Sequence, residues 1–253
     1  MPRPHKPLID PALRKKSIYL LPNLFTTSAL FAGFYAIVQA MGGHYDQAAT
    51  AIFIAMVLDG IDGRVARFTH TQSSFGAEFD SLSDMVSFGV APALVVYVWA
   101  LQGMGKLGWI GAFIFCVGAA LRLARFNTKL DVADKRYFQG LPSPSAAAVV
   151  AGFVWVLDDY GLIGNDVQWL AWVVTVFAGI SMVSNFRYYS FKEINTRKSI
   201  PYVALLLIIF GFALLTYKPP LVLFLFFLLY ALSGYAMWLL GMLKRKKRPA
   251  APR

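Results

Sequence analysis

The chain has 253 residues, 58% of them hydrophobic and only 15% charged, with a mean hydropathy of +0.57. Ordinary soluble domains are nearer half apolar, so these values exclude that class. The single cysteine, Cys116, excludes a disulfide framework within the chain and sits in an apolar run as a small core residue.

Apolar stretches of the length a bilayer requires, about 20 residues per helix, recur along the chain. They predict an all-α polytopic membrane bundle of about eight transmembrane helices near 18–40, 47–67, 80–101, 108–126, 144–158, 168–185, 200–216 and 220–241. Helices are expected because backbone groups that face lipid must be satisfied within their own segment. The first apolar run is too long for a signal-peptide core and has no small-residue cleavage pattern after it, so no processing is expected. The predicted organisation is a cytoplasmic N-terminal segment (1–17), a transmembrane domain (18–241) and a basic tail (242–253). No tandem repeat or low-complexity tract interrupts it.

Basic residues set the orientation. They fall before the first span (Arg3 to Lys16), after the second (Arg64, Arg67) and after the fourth (Arg122 to Arg136). Further groups follow the sixth (Arg187 to Lys198) and the eighth (Lys244 to Arg253), so 22 of the 24 Lys and Arg residues lie on one side. The other side has Lys106 and Lys218, with Asp158, Asp159 and Asp166. Both termini are therefore expected in the cytoplasm, with the chain in the inner (cytoplasmic) membrane. The same asymmetry accounts for most of the +11 charge, so no nucleic-acid partner is needed. The basic tail fits topology and attraction to anionic lipid.

The chemistry lies where the second span ends and the third begins. Asp59 and Asp62 are three residues apart, Asp80 and Asp84 four, so each pair shares a helix face. A short connection makes the two helices antiparallel neighbours, bringing both pairs to the cytoplasmic boundary. Ionisable groups there are costly and usually functional, and four carboxylates need a compensating cation. With no His or Cys nearby, Mg²⁺ or Mn²⁺ suits the site better than zinc. Two such ions about 3.5–4 Å apart would clamp an in-line displacement at phosphorus. Gly60, Gly63 and Ala66 remove bulk where a nucleotide would approach, and Arg67 can pair with a phosphate through its planar fork. The plainer alternative is a structural ion network in which Arg64 and Arg67 neutralise two aspartates.

The run Asp59-x2-Asp62-Gly63-x2-Ala66-Arg67-x8-Gly76-x3-Asp80-x3-Asp84 resembles the signature of the CDP-alcohol phosphatidyltransferases, with every fixed position filled. The resemblance implies a two-metal membrane enzyme that cleaves the pyrophosphate of a CDP-linked lipid, releases CMP and joins the phosphatidyl group to an alcohol. By that resemblance Asp59, Asp62, Asp80 and Asp84 are metal ligands, and Asp84 is also the general base for the incoming hydroxyl. Gly63, Ala66, Arg67, Ser73 and Gly76 are assigned to the CDP-lipid. Asn23 and Thr26, in the run Pro22-Asn23-Leu24-Phe25-Thr26, are assigned there too, although Pro22-Asn23 also reads as a helix start capped by Asn23.

The acceptor rests on other segments. Arg122-Leu123-Ala124-Arg125-Phe126-Asn127, the run from Tyr137 to Ser145 and the run from Ser184 to Lys192 resemble the membrane-type phosphatidylserine synthases of bacteria and archaea. The implied substrates are CDP-diacylglycerol and L-serine. Arg122, Arg125 or Lys192 could hold the serine carboxylate, and Asn127, Gln139 and Ser143 could order the ammonium or the loop. For the basic residues, topology and headgroup contact are equally good readings. Gly140-Leu141-Pro142 also reads as a rigid loop-to-helix turn. Phosphatidylglycerophosphate synthase, or another acceptor specificity, stays open within the family. A cation-coupled transporter is the alternative outside it, although it would place carboxylates nearer the midplane on broken helices. Homodimers are common in the resembled family, so a homodimer is an expectation carried by the resemblance alone.

Overall fold

The computed structural model describes residues 11–69, 73–128, 137–190 and 202–246. Helix α1 (Pro11–Met41) and α2 (Tyr45–Phe68) form a hairpin turned by Gly42 and Gly43. Next, α3 (Ser74–Asp84) runs on without a break through a π-helical segment (Met85–Val90) into α4 (Ala91–Val96), a second π segment (Tyr97–Leu101) and a short 3₁₀ turn. Then follow α5 (Lys106–Thr128), strand β1 (Tyr137–Gln139), α6 (Ser143–Asp159), α7 (Gln168–Val183), strand β2 (Arg187–Tyr189), α8 (Tyr202–Tyr217) and α9 (Pro219–Lys246).

Five helical stretches among the described residues are long and apolar enough to cross a membrane: Pro22–Met41, Ser74–Met104, Lys106–Thr128, Gly164–Val183 and Pro219–Leu240. The chain is a multi-pass membrane protein. Helices also occupy the other three predicted positions, but α6 and α8 have only 17 and 16 residues. The remaining one, α2, carries Asp59, Asp62, Arg64 and Arg67 in its last three turns.

Small residues bring the helices close. Ala36 and Ala40 of α1 and Ala48, Ala49, Ala51 and Ala55 of α2 are buried, and the two helices pack on each other. A Cβ added to Gly118 of α5 would lie 2.5 Å from the Gly179 carbonyl oxygen of α7. Without a hydrophobic drive between lipid-bathed helices, such close packing is what holds them together. At the centre lies α6, buried along almost its whole length from Ser143 to Val156 and packed on α2, α7 and α9.

Two boundaries differ from the sequence expectation. The third helix starts at Ser74 rather than near 80, because the Ser73 hydroxyl accepts the Gly76 N–H at 3.0 Å and caps it. Hydropathy marks only the apolar part of a helix, so the polar first turns escaped it. The first helix starts at Pro11, twelve residues before Asn23, so the helix-start reading of Pro22-Asn23 is overturned. Pro22 lies inside α1.

Candidate active site

Helices α2 and α3 present the four aspartates to each other, as their spacing requires. One carboxylate oxygen from each of Asp59, Asp62 and Asp80 lies within 4.8 Å of the others. The fourth, Asp84, sits at the junction of α3 with the π segment, against Asp59, while Asp80 lies against Asp62. Wide π turns inside α-helices occur often at functional sites. Here Pro92, lacking an N–H and crowding the preceding turn, gives the wide turn a local cause.

Helix α1 fixes the depth of this cluster. Thr26, only 4% exposed, donates its hydroxyl to Asp62 Oδ2 at 2.7 Å. Ser83 and Ser87 of the third helix donate to the Thr26 and Ala29 carbonyl oxygens, each at 3.1 Å. The helices touch there because Gly33 has no Cβ: one would lie 2.5 Å from Ser87 Oγ. Thr26 therefore bridges α1 to a carboxylate.

A cation fits this donor set. The Oδ1 atom of Asp80 is buried with no hydrogen-bond partner. A bare carboxylate oxygen in that position is expensive, and it faces two further carboxylates. Hard divalent cations take such all-oxygen sites. Nearby positive charge comes from the half-buried Arg122 guanidinium beside Asp84 and Asp59, and from Arg67 near Asp62.

Open space adjoins the cluster on α2. A Cβ at Gly60 would meet nothing within 4 Å, and one at Gly63 only the far end of Arg67 at 3.9 Å. Packing within the chain therefore does not require these glycines, whereas a ligand approaching the helix would. Ala66, half-buried, and the exposed Arg67 follow one turn on. Asn23, Ser73 and Gly76 also converge: a Cβ on Gly76 would lie 3.1 Å from Ser73 Oγ and 3.5 Å from Asn23 Oδ1.

The acceptor residues divide. Arg122 Nη1 donates to Ser143 Oγ at 2.5 Å, so these two meet beside the aspartates. Asn127 donates to Ser81 Oγ at 3.0 Å, on the turn that holds Asp80. Arg125 instead donates to Asn185 Oδ1 at 3.2 Å, and Gln139 pairs with Arg187 across the β1–β2 ribbon. Lys192 lies outside the described residues. Sequence reasoning missed Tyr230 of α9, which faces Arg122. A tyrosine in an apolar, aromatic-rich helix carries no signal of that proximity.

Carboxylates gathered on two antiparallel helices, beside an open helix face and a guanidinium, define a membrane enzyme acting on a phosphate ester. The chain belongs to the CDP-alcohol phosphatidyltransferase family, whose model matches residues 19–177. The aspartate cluster and the family together fit divalent-metal binding. Among its relatives is the CDP-diacylglycerol–serine O-phosphatidyltransferase of Helicobacter pylori, 37% identical over 227 residues, which cover 90% of this chain and 94% of the relative. Proteins of the same name from Methanocaldococcus jannaschii and Saccharomyces cerevisiae are 40% and 38% identical over 137 and 151 residues. Those matches cover 54% of this chain each, and 61% and 54% of the relatives.

Proposed function

We propose that this chain transfers the phosphatidyl group of CDP-diacylglycerol to the hydroxyl of L-serine and releases CMP, a step of phospholipid biosynthesis. The observation that carries the reading is the meeting of Arg122 and Ser143 beside the four aspartates. An acceptor with a carboxylate and a hydroxyl needs such a pairing of cation and base. The match to the Helicobacter pylori relative along nearly the whole chain supports the same acceptor.

Asp59, Asp62, Asp80 and Asp84 would hold two divalent cations, Mg²⁺ or Mn²⁺, which when bound neutralise the charge that develops on the pyrophosphate. Asp84 takes the proton from the serine hydroxyl. The serine oxygen then bonds to the phosphorus bearing diacylglycerol as that phosphorus loses its bridging oxygen to CMP. Arg122 holds the serine carboxylate through its planar fork, in direct transfer without a covalent enzyme intermediate. The open face at Gly60 and Gly63 receives the cytidine diphosphate, with Ala66, Arg67, Asn23, Ser73 and Gly76 around it. Thr26 keeps Asp62 aimed.

In this reading α2, α6 and α8 also cross the bilayer, giving eight spans within a catalytic domain of residues 18–241. Both termini and the active site face the cytoplasm, and the donor enters sideways from the inner leaflet.

The test is CMP release by the purified full chain in detergent, with serine, glycerol 3-phosphate or inositol phosphate as acceptor, and with Mg²⁺, Mn²⁺ or chelator. Release that depends on both serine and a divalent cation is expected. Release with glycerol 3-phosphate but not serine would replace the acceptor. No release with any alcohol would favour a transporter or a lipid-binding scaffold.

A further inference from the structure

Beyond residue 177, where the family match ends, the structure contains a connection that the motifs do not predict. Strand β1 pairs antiparallel with β2, Tyr137 opposite Tyr189 and Gln139 opposite Arg187. This two-stranded ribbon joins the loop before α6 to the loop after α7. Just after β1, the Gly140 N–H bonds the Phe186 carbonyl oxygen and the Leu141 N–H bonds the Ser181 carbonyl oxygen, both at 2.9 Å. Gly140 has φ +77, and any Cβ there would strike the Met182 carbonyl oxygen. Leu141 is fully buried. Two residues on comes Ser143, the hydroxyl that holds Arg122.

The ribbon is fastened to α9 from both directions. Tyr188 of β2, fully buried, donates its hydroxyl to the Ala231 carbonyl oxygen at 3.1 Å. In return, Tyr230 of α9 donates its hydroxyl to the Tyr189 carbonyl oxygen of β2 at 3.1 Å. The two rings lie 5.7 Å apart, and Gly234 leaves room for the Tyr188 ring, which a Cβ would hit. Burial raises the Tyr188 phenol well above its ordinary value, so it stays a neutral donor. The Tyr230 hydroxyl also lies near the Arg122 guanidinium.

A buried hydroxyl is unfavourable unless bonded, and phenylalanine would fill the same space with less desolvation. Two reciprocal hydroxyl bonds thus specify where the ribbon sits rather than merely adding packing. We propose that Tyr188 and Tyr230 form a latch that positions Arg122 for the acceptor alcohol, acting through the β1–β2 ribbon and Ser143. They are positioning residues, and through them the last helix takes part in acceptor recognition. This rests on the serine-transfer reading above.

The experiment compares Tyr230→Phe, Tyr188→Phe and Tyr160→Phe in the full-length protein in detergent, measuring KM for serine, KM for CDP-diacylglycerol and the thermal midpoint. Tyr160 is the control: it follows the far end of α6 from Ser143, and its hydroxyl accepts a bond from Lys218 Nζ at 3.4 Å, away from the ribbon. Loss of one hydrogen bond corresponds to about a fivefold change. Tyr230→Phe and Tyr188→Phe are therefore expected to raise the serine KM about fivefold each, and less than additively together. The donor KM should stay within about twofold, and Tyr160→Phe should leave both constants unchanged. Equal shifts in both KM values, an equal effect of Tyr160→Phe, or an unchanged serine KM would each overturn the latch. If Tyr188→Phe lowers the midpoint sharply, Tyr230→Phe decides alone, and Tyr230→Ala should then exceed it in serine KM. Wild-type protein in the same assay separates the two claims. If it uses another alcohol instead of serine, the serine reading fails and the latch is judged on that alcohol's KM.

Discussion

Replacing Thr26 by Val tests how α1 prepares the metal site. The substitution keeps the side chain's volume and branching in a position only 4% exposed, and removes a single hydroxyl. That hydroxyl has two acceptors in reach, Asp62 Oδ2 at 2.7 Å and the Pro22 carbonyl oxygen at 3.2 Å, and the shorter contact to the charged group takes the proton. A hydrogen bond to a charged group contributes about 1.5–3 kcal/mol, and about 1.4 kcal/mol is a tenfold change in an equilibrium constant. Groups that orient metal ligands typically change metal affinity about 10- to 100-fold when removed. The two estimates agree. Thr26→Val should therefore raise the Mn²⁺ concentration that half-activates CMP release by about 10- to 100-fold, with activity largely restored at saturating metal. Thr26→Ser, which retains the hydroxyl, should stay close to wild type. Isothermal titration of the detergent-solubilised protein with Mn²⁺ provides the same measurement without turnover. An unchanged metal requirement, or a shift confined to the serine KM, would refute the assignment of Thr26 to Asp62.

Asp84→Asn keeps size and most polarity but cannot accept a proton, so kcat should fall at least about 10²- to 10⁴-fold in the detergent assay; near-normal turnover would end its role as base. Gly63→Ala makes opposite predictions for stability and function. The new Cβ meets only Arg67 at 3.9 Å, and alanine favours a helix by about 1 kcal/mol over glycine. The thermal midpoint should hold or rise while the KM for CDP-diacylglycerol increases several-fold, and a fall in both would place Gly63 in packing instead. Gly118→Ala should do the reverse: its Cβ would lie 2.5 Å from the Gly179 carbonyl oxygen, a backbone atom that cannot swing aside. Overpacking of this kind destabilises by about 1–3 kcal/mol, read as a lower midpoint with both KM values unchanged.

The aspartate cluster was legible in the sequence because its geometry is local. Spacings of three and four on helices joined by a short turn leave few ways to arrange Asp59, Asp62, Asp80 and Asp84. The open face at Gly60 and Gly63 was legible for the same reason, since absence of bulk on one helix face is a property of that face. Arg122 and Ser143 were both named as acceptor residues, but nothing in a separation of 21 positions indicates that they touch. Arg125, named beside them, donates to Asn185, 60 positions away. The bond from Thr26 to Asp62 spans 36 positions, so no local pattern indicates it.

What the sequence alone determined is the membrane class, the helical elements and the clustering of the carboxylates. These follow from composition and from periodicity within single helices, and need no knowledge of which helix lies beside which. What only the tertiary structure decided is the set of contacts between distant segments: Thr26 on Asp62, Arg122 on Ser143, and the ribbon fastened to α9 by Tyr188 and Tyr230. Those depend on packing through small residues such as Gly33, Gly118 and Gly234. In a uniformly apolar chain, hydropathy separates lipid from water but does not distinguish one helix neighbour from another.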